Sequence, residues 1–273
     1  MVDWPMKAYT TRVRNQGGER GTCVAHAILA AIEARIFRTH GIKTDYSEQE
    51  LYAVAKGLWF PTSGSYGDGL HGDDVLDELV STGSRLDAEG RWTYNKSKNR
   101  IDHEDTQTYT HSCDNYPGFC SNTNHQMKIV CTGGSQNVCG TQLPPGVTGA
   151  GTDPVKLTGW VSLWNSFEPE NSLASIRAHL NAGHPIVLAI EADDLFKDAA
   201  NMAPTPGGSL GPGHVNWPEG GDSIGGHELV VVGYLANGQL PPNVAGADGY
   251  GGGYLIAKNS WGCKGDGGYM YLA

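Results

Sequence analysis

Nowhere does the chain hold eighteen consecutive apolar residues, so no segment reads as a helix able to cross a bilayer. Bases are scarce: 19 Lys and Arg stand against 29 Asp and Glu, for a net charge of -10. No Lys/Arg cluster of the kind that tracks a phosphate backbone is present, so neither nucleic acid nor a membrane is expected as a partner. There is no C-x-x-C pair and hence no zinc spacing, and no metal or cofactor is expected. Internal repeats and low-complexity tracts are also missing. The opening M-V-D-W-P-M-K carries one basic residue and no apolar stretch. It does not read as a signal peptide, and any targeting segment is expected to have been removed.

Glycine and proline, by contrast, are abundant at 39 and 14 residues, which points to many loops and tight turns and to loop-borne function. A length of 273 residues suffices for one large domain or for two that share a cleft. Of the six cysteines, Cys113, Cys120, Cys131 and Cys139 fall in one short stretch. Two local disulfides are the expectation there, with three connectivities open, and they favour an oxidising compartment. Cys23 and Cys263 stand apart. Cys263 is either a spare thiol or the partner of one of the clustered cysteines.

From Cys23 the run C-V-A-H-A-I-L-A-A-I-E-A-R-I-F proceeds without Gly or Pro to Gly41, and Thr22 is a good N-cap. A buried helix is predicted with Cys23 in its first turn. Ser47 and Glu50 predict a capping box for a helix through Lys56, and Asp73 predicts the cap of a third helix with Val75, Leu76, Leu79 and Val80 on one face. Residues 95–154 turn polar and lose apolar periodicity, which marks an insertion held by its cysteines. Beyond it, 172–182 reads as a helix that stops at Gly183. Strands are predicted over 185–191, 227–234, 254–259 and at the C-terminus. Helices followed by strands describe an α+β protein.

A thiol becomes a useful nucleophile at neutral pH when a helix N-terminus and a neighbouring imidazolium lower its pKa. Cys23 has the first by its position. His227 is the candidate for the second, at the head of an apolar strand after Gly225 and Gly226.

The flanking residues carry a resemblance. V-D-W-x-x-K with V-R-N-Q-G over 2–17, R-G-T-C-V-A over 20–25 and Y-S-E-Q-E-L over 46–51 occur in that order. They are followed by G-G-H-E-L-V-V-V-G-Y over 225–234 and A-K-N-S-W-G over 257–262 with G-G-Y over 267–269. Together these motifs resemble the papain family of cysteine peptidases, in a microbial-type member with a cysteine-rich insertion. The family spacing of roughly 130–150 residues from Cys to His compares with 204 here. Removal of 95–154 restores it.

The resemblance implies one papain-like peptidase domain over 1–273, with a mainly helical lobe in 1–94, the insertion in 95–154 and a mainly β lobe in 155–273. The implied fold is α+β and two-lobed, with a helical N-terminal lobe, a β-barrel-like C-terminal lobe and the active site in the cleft between them. The implied activity is peptide-bond hydrolysis through a thioester on Cys23, with His227 as base and acid and Asn259 orienting the imidazole. Gln16 would act as oxyanion donor, although it lies seven positions before Cys23, one more than the family norm. Gly72, Gly226, Glu228 and Trp261 fall at substrate-binding positions, and Trp261 would also shield the Asn259–His227 hydrogen bond. Glu228 replaces a small residue and would make an acidic pocket that prefers Lys or Arg. An Arg20–Asp68 ion pair would replace a family disulfide. The resemblance further implies a secreted, periplasmic or lysosome-like thiol protease made as a zymogen. Such an enzyme is a monomer with a peptide or protein substrate and an inhibitory prosegment outside this chain. The alternatives on the same residues are a catalytically inactive papain-like binding module and a Cys-His acyltransferase.

Overall fold

Eighteen residues without Gly or Pro form α1 (Cys23–His40), as the sequence predicts. Val24, Ala25, Ile28 and Leu29 are fully buried along it. The helix stops where expected: Gly41 takes φ 69, and its N–H donates to the Phe37 carbonyl at 2.9 Å.

The structure is a computed structural model. It describes residues 5–17, 21–55, 69–83, 86–91, 94, 129–132, 138–141, 153, 155–163, 169–201, 214–215, 222–236, 239 and 253–273. The chain forms two compact units, the first of Gln16–Leu29 and Asp45–Trp160, the second of Met1–Asn15, Ala30–Thr44 and Val161–Ala273. Helix α1 therefore starts in the first unit and finishes in the second.

In the first unit, α2 (Glu48–Val54) begins at Ser47, whose Oγ accepts from the Glu50 N–H at 3.0 Å. Only this half of the predicted capping box forms, because the Ser47 N–H donates to the Asp87 carbonyl at 2.9 Å. Lys56, the predicted end of this helix, lies outside the described residues. Helix α3 (Gly72–Thr82) buries Val75 and Leu79 on one face. Its N-cap position is His71 rather than the predicted Asp73, which sits inside the first turn with Oδ1 accepting from the Asp74 N–H at 3.0 Å. Strands β1 (Ile129–Thr132) and β2 (Val138–Thr141) form an antiparallel pair in which Cys131 lies opposite Cys139. Cys113 and Cys120 lie outside the described residues, as do Arg20 and Asp68.

The second unit contains α4 (Pro169–Asn181), β3 (Ile186–Asp193), α5 (Asp194–Asn201), β4 (His214–Val215), β5 (Ser223–Ala236), β6 (Gly253–Lys258) and β7 (Tyr269–Leu272). The strands make one sheet in the order β3-β5-β6-β7-β4. All neighbours are antiparallel except β4 with β7. Helix α5 is absent from the sequence-based expectations. It begins where the Asp193 Oδ1 accepts from the Phe196 N–H at 2.8 Å, and it lays Phe196, Ala199 and Ala200 against Leu229, Ala257 and Met270 of the sheet. Full burial of a side chain such as Phe196 stabilises by about 1.5–3 kcal/mol.

Both units bury charge. In the second, Lys258 and Glu33 are 5% and 4% exposed. The Lys258 ammonium donates to the Thr11 hydroxyl at 3.2 Å, and that hydroxyl donates to the Glu33 carboxylate at 2.6 Å. The threonine thus relays between two buried charges that would each be costly unbonded. In the first unit, Glu50 and Asp87 are both buried, and Arg91 donates to the Asp87 carboxylate at 2.5 Å.

Burial pushes the Glu50 carboxyl up to about 8 from 4.5. The adjacent Asp87 carboxylate, a hydrogen-bond partner for the protonated form, adds to the rise, and Arg91 opposes it. The folded state therefore holds a proton that the unfolded chain releases between those two values. Glu50 contributes most to stability below about pH 4.5, and that contribution is lost as pH rises toward about 8. The urea midpoint of the wild type relative to Glu50→Gln, an uncharged shape mimic, is expected to fall between pH 5 and pH 8.5; a flat difference contradicts this.

Candidate active site

The predicted site residues fall in two sets, one in each unit. In the second unit β5 carries His227 opposite Ile190 of β3, and Asn259 follows directly after β6. Asn259 is held by its backbone: its N–H donates to the Gly268 carbonyl at 2.8 Å. Gly268 adopts φ 96, and a Cβ there would meet Val13 at 2.4 Å and the Gly262 carbonyl oxygen at 2.9 Å. Only glycine fits, so the G-G-Y segment is required to place the asparagine.

The Asn259 Oδ1 accepts from the Ser260 N–H at 2.7 Å and also bonds His227 Nε2 at 2.8 Å. The first bond decides the second. A backbone N–H can only donate, so the amide oxygen, not its nitrogen, faces both partners. His227 must then carry a proton on Nε2.

Aromatic rings surround this pair. Trp261 lies 4.7 Å from the His227 ring at 32°. Phe196 meets His227 at 5.6 Å and Trp261 at 5.2 Å, both edge to face. His227 is 5% exposed and Asn259 2%, so the hydrogen bond lies in low dielectric, where it is stronger than in water. Phe196 is a site residue that the sequence reading missed; the Asp193–Asp194 start of α5 was the available sign of a helix there.

Glu228 follows His227 on the same strand, is buried and lies opposite Ala189. Gly226 is paired with Glu191, and a Cβ there would meet nothing within 4 Å.

In the first unit, Cys23 is the first residue of α1 and 7% exposed. An N-terminus of an eighteen-residue helix favours negative charge, here a thiolate. Gln16 is buried, as is Gly72 at the start of α3. Tyr94 joins them: its hydroxyl donates to the Gln16 carbonyl at 2.8 Å and bonds the Thr22 hydroxyl at 2.7 Å. Cys263, whose state the sequence left open, is an exposed free thiol. Among the described residues no group of three or more His, Cys, Asp and Glu is arranged to hold a metal.

A family model described as papain family cysteine protease matches residues 1–142. The chain belongs to the papain family of cysteine proteases. Among solved structures, this papain-family chain resembles bromelain from Ananas comosus in complex with the E64 inhibitor. The TM-score is 0.56 and the identity 20%, over 100% of this chain and 88% of that one. A recombinant stem bromelain precursor gives 0.56 and 20% over 100% and 63%. Procathepsin L2, a digestive proteinase from the Tenebrio molitor larval midgut, gives 0.55 and 21% over 99% and 61%. The chain thus spans less than two thirds of either precursor. At these identities the likeness is one of fold, and it agrees with the α+β papain-like architecture expected from the motifs.

Asn259→Ala removes the acceptor shared by His227 and Ser260. The low-field proton resonance of the hydrogen-bonded His227 Nε2–H is expected to vanish, with faster exchange of the Ser260 amide. Persistence of that resonance in the variant contradicts the tautomer assigned above.

Proposed function

We propose that the chain hydrolyses peptide bonds as a papain-like cysteine endopeptidase. The observation that carries the reading is the His227–Asn259 hydrogen bond, because it commits Nε2–H to the asparagine and reserves the other ring nitrogen, Nδ1, for proton exchange with the nucleophile. Cys23 Sγ gives its proton to that nitrogen, and the thiolate attacks the carbonyl carbon of the peptide. The Gln16 side-chain amide and the Cys23 N–H stabilise the oxyanion that forms. The C–N bond then breaks, the imidazolium returns the proton to the leaving amine, and a thioester remains on Cys23. Water, deprotonated by His227, adds to the thioester; the carboxylic acid leaves and the thiol is restored. Trp261 and Phe196 keep solvent from competing for the Asn259 oxygen.

The family membership and the fold likeness support this reading, as do the buried Cys23 at a helix start and the Nε2–H bond from His227 to Asn259. The substrate is a peptide or protein held in part by Gly72, Gly226, Glu228 and Trp261. A precursor form with an inhibitory prosegment, an oxidising location, a single domain over 1–273 and a monomeric state complete the proposal. No metal or cofactor takes part in any step.

Cys23→Ala is expected to abolish peptide hydrolysis. E64, the inhibitor in the bromelain complex, is expected to label Cys23 at pH 5, where an unactivated thiol reacts poorly. Labelling without any hydrolysis by the wild type would turn the reading toward an inactive binding module. Cleavage of a peptide library is expected to favour Lys or Arg two residues before the cut, with the preference lost in Glu228→Gln; a preference for Leu or Phe refutes the acidic pocket.

A further inference from the structure

Tyr94 lies outside every motif that carries the resemblance, yet it bonds on both sides of the nucleophile's end of α1, at Gln16 and Thr22. A phenol has one proton and accepts through its oxygen. Its proton goes to the Gln16 carbonyl at 2.8 Å, so at 2.7 Å it is the Thr22 hydroxyl that donates to the phenol. The two bonds therefore have fixed directions and hold both ends of the stretch 17–21. The Tyr94 N–H donates to Glu89 Oε1 at 3.1 Å, and the Glu89 N–H donates to the Asp45 carbonyl at 2.8 Å. The ring meets His26 edge to face at 4.7 Å, and His26 Nδ1 bonds the Thr22 carbonyl at 2.9 Å. The tyrosine is fixed along its length, from amide to hydroxyl.

The stretch it spans is one residue longer than the family spacing between Gln16 and Cys23. A longer connection leaves its ends less defined, because ordering it costs more conformational entropy. Both groups proposed to stabilise the oxyanion sit at those ends: the Gln16 side chain on one, and the Cys23 N–H directly after Thr22 on the other. Oxyanion stabilisation demands donors placed to a few tenths of an ångström before the charge develops.

We propose that Tyr94 is a positioning residue for the oxyanion donors, clamping Gln16 and Thr22 through one hydroxyl so that the extra residue between Gln16 and Cys23 does not blur their spacing. This rests on the peptidase reading above. In this role Tyr94 acts through Gln16 and Thr22 and not on the substrate. Its loss is felt where negative charge builds on a carbonyl oxygen, and not where the thiolate reacts without forming one.

That difference supplies the test. In the full chain, with Cys263→Ser to remove the other free thiol among the described residues and the labelled site identified by peptide mapping, Tyr94→Phe deletes the hydroxyl and keeps the ring on His26. Misplacement of catalytic donors is expected to lower kcat/KM for a peptide amide by about 10- to 100-fold. A peptide aldehyde, whose hemithioacetal oxygen uses the same donors, is expected to bind more weakly by a similar factor. The rate of Cys23 alkylation by iodoacetamide, which forms no oxyanion, is expected to stay within about twofold of wild type. Hydrolysis unchanged in the variant overturns the inference, and so does a fall in alkylation that matches the fall in hydrolysis, since that marks a general loss of structure. If Tyr94→Phe does not fold, Thr22→Val decides: it removes the donor to the phenol, and a smaller loss with the same pattern supports the clamp, whereas no loss overturns it. A wild type that hydrolyses no peptide overturns the peptidase reading and this inference together, which separates the two failures.

Discussion

The backbone N–H of Ser260 is the fixed point of the second unit's chemistry. It can only donate, so it compels the oxygen of Asn259 to face it. The same oxygen then requires a proton on His227 Nε2. Asn259 is in turn set by a carbonyl from Gly268, whose lack of a side chain lets two segments approach closely. A chemical state of one imidazole thus depends on a turn nine residues beyond the asparagine. Solvent would dissolve this arrangement by offering other partners, and the Trp261 and Phe196 rings deny it access.

Much of this was legible in the sequence, though unevenly. Helix α1 could be read because its whole length lacks Gly and Pro and ends at a glycine. The strands of the second unit could be read from dense Val, Ile and Leu runs beside small residues. The cap of α2 was half legible: Ser47 behaves as its residue type demands, but its own N–H is claimed by Asp87, a partner forty positions away that no local pattern reveals. Asp73 has the right chemistry for a cap and sits two residues too far along, where Asp74 is its partner. Helix α5 escaped because it is eight residues long and follows a strand without a break.

The site shows the same division. Cys23, His227 and Asn259 lie in motifs, and a motif is a local object. Phe196 and Tyr94 act through contacts with residues far away in the chain: the Tyr94 hydroxyl reaches positions 78 and 72 residues earlier. Short-range sequence patterns carry no information about such pairs. His26 is buried with its ring against Tyr94 and one nitrogen on the Thr22 carbonyl.

The Lys258–Thr11–Glu33 relay has a consequence for how the protein is made. Thr11 and Glu33 leave the ribosome early, on segments of the second unit whose remainder begins only at Val161. Their cation lies more than two hundred residues later, at Lys258. The relay therefore cannot form before β6 has been made, and β6 is also the strand that delivers Asn259.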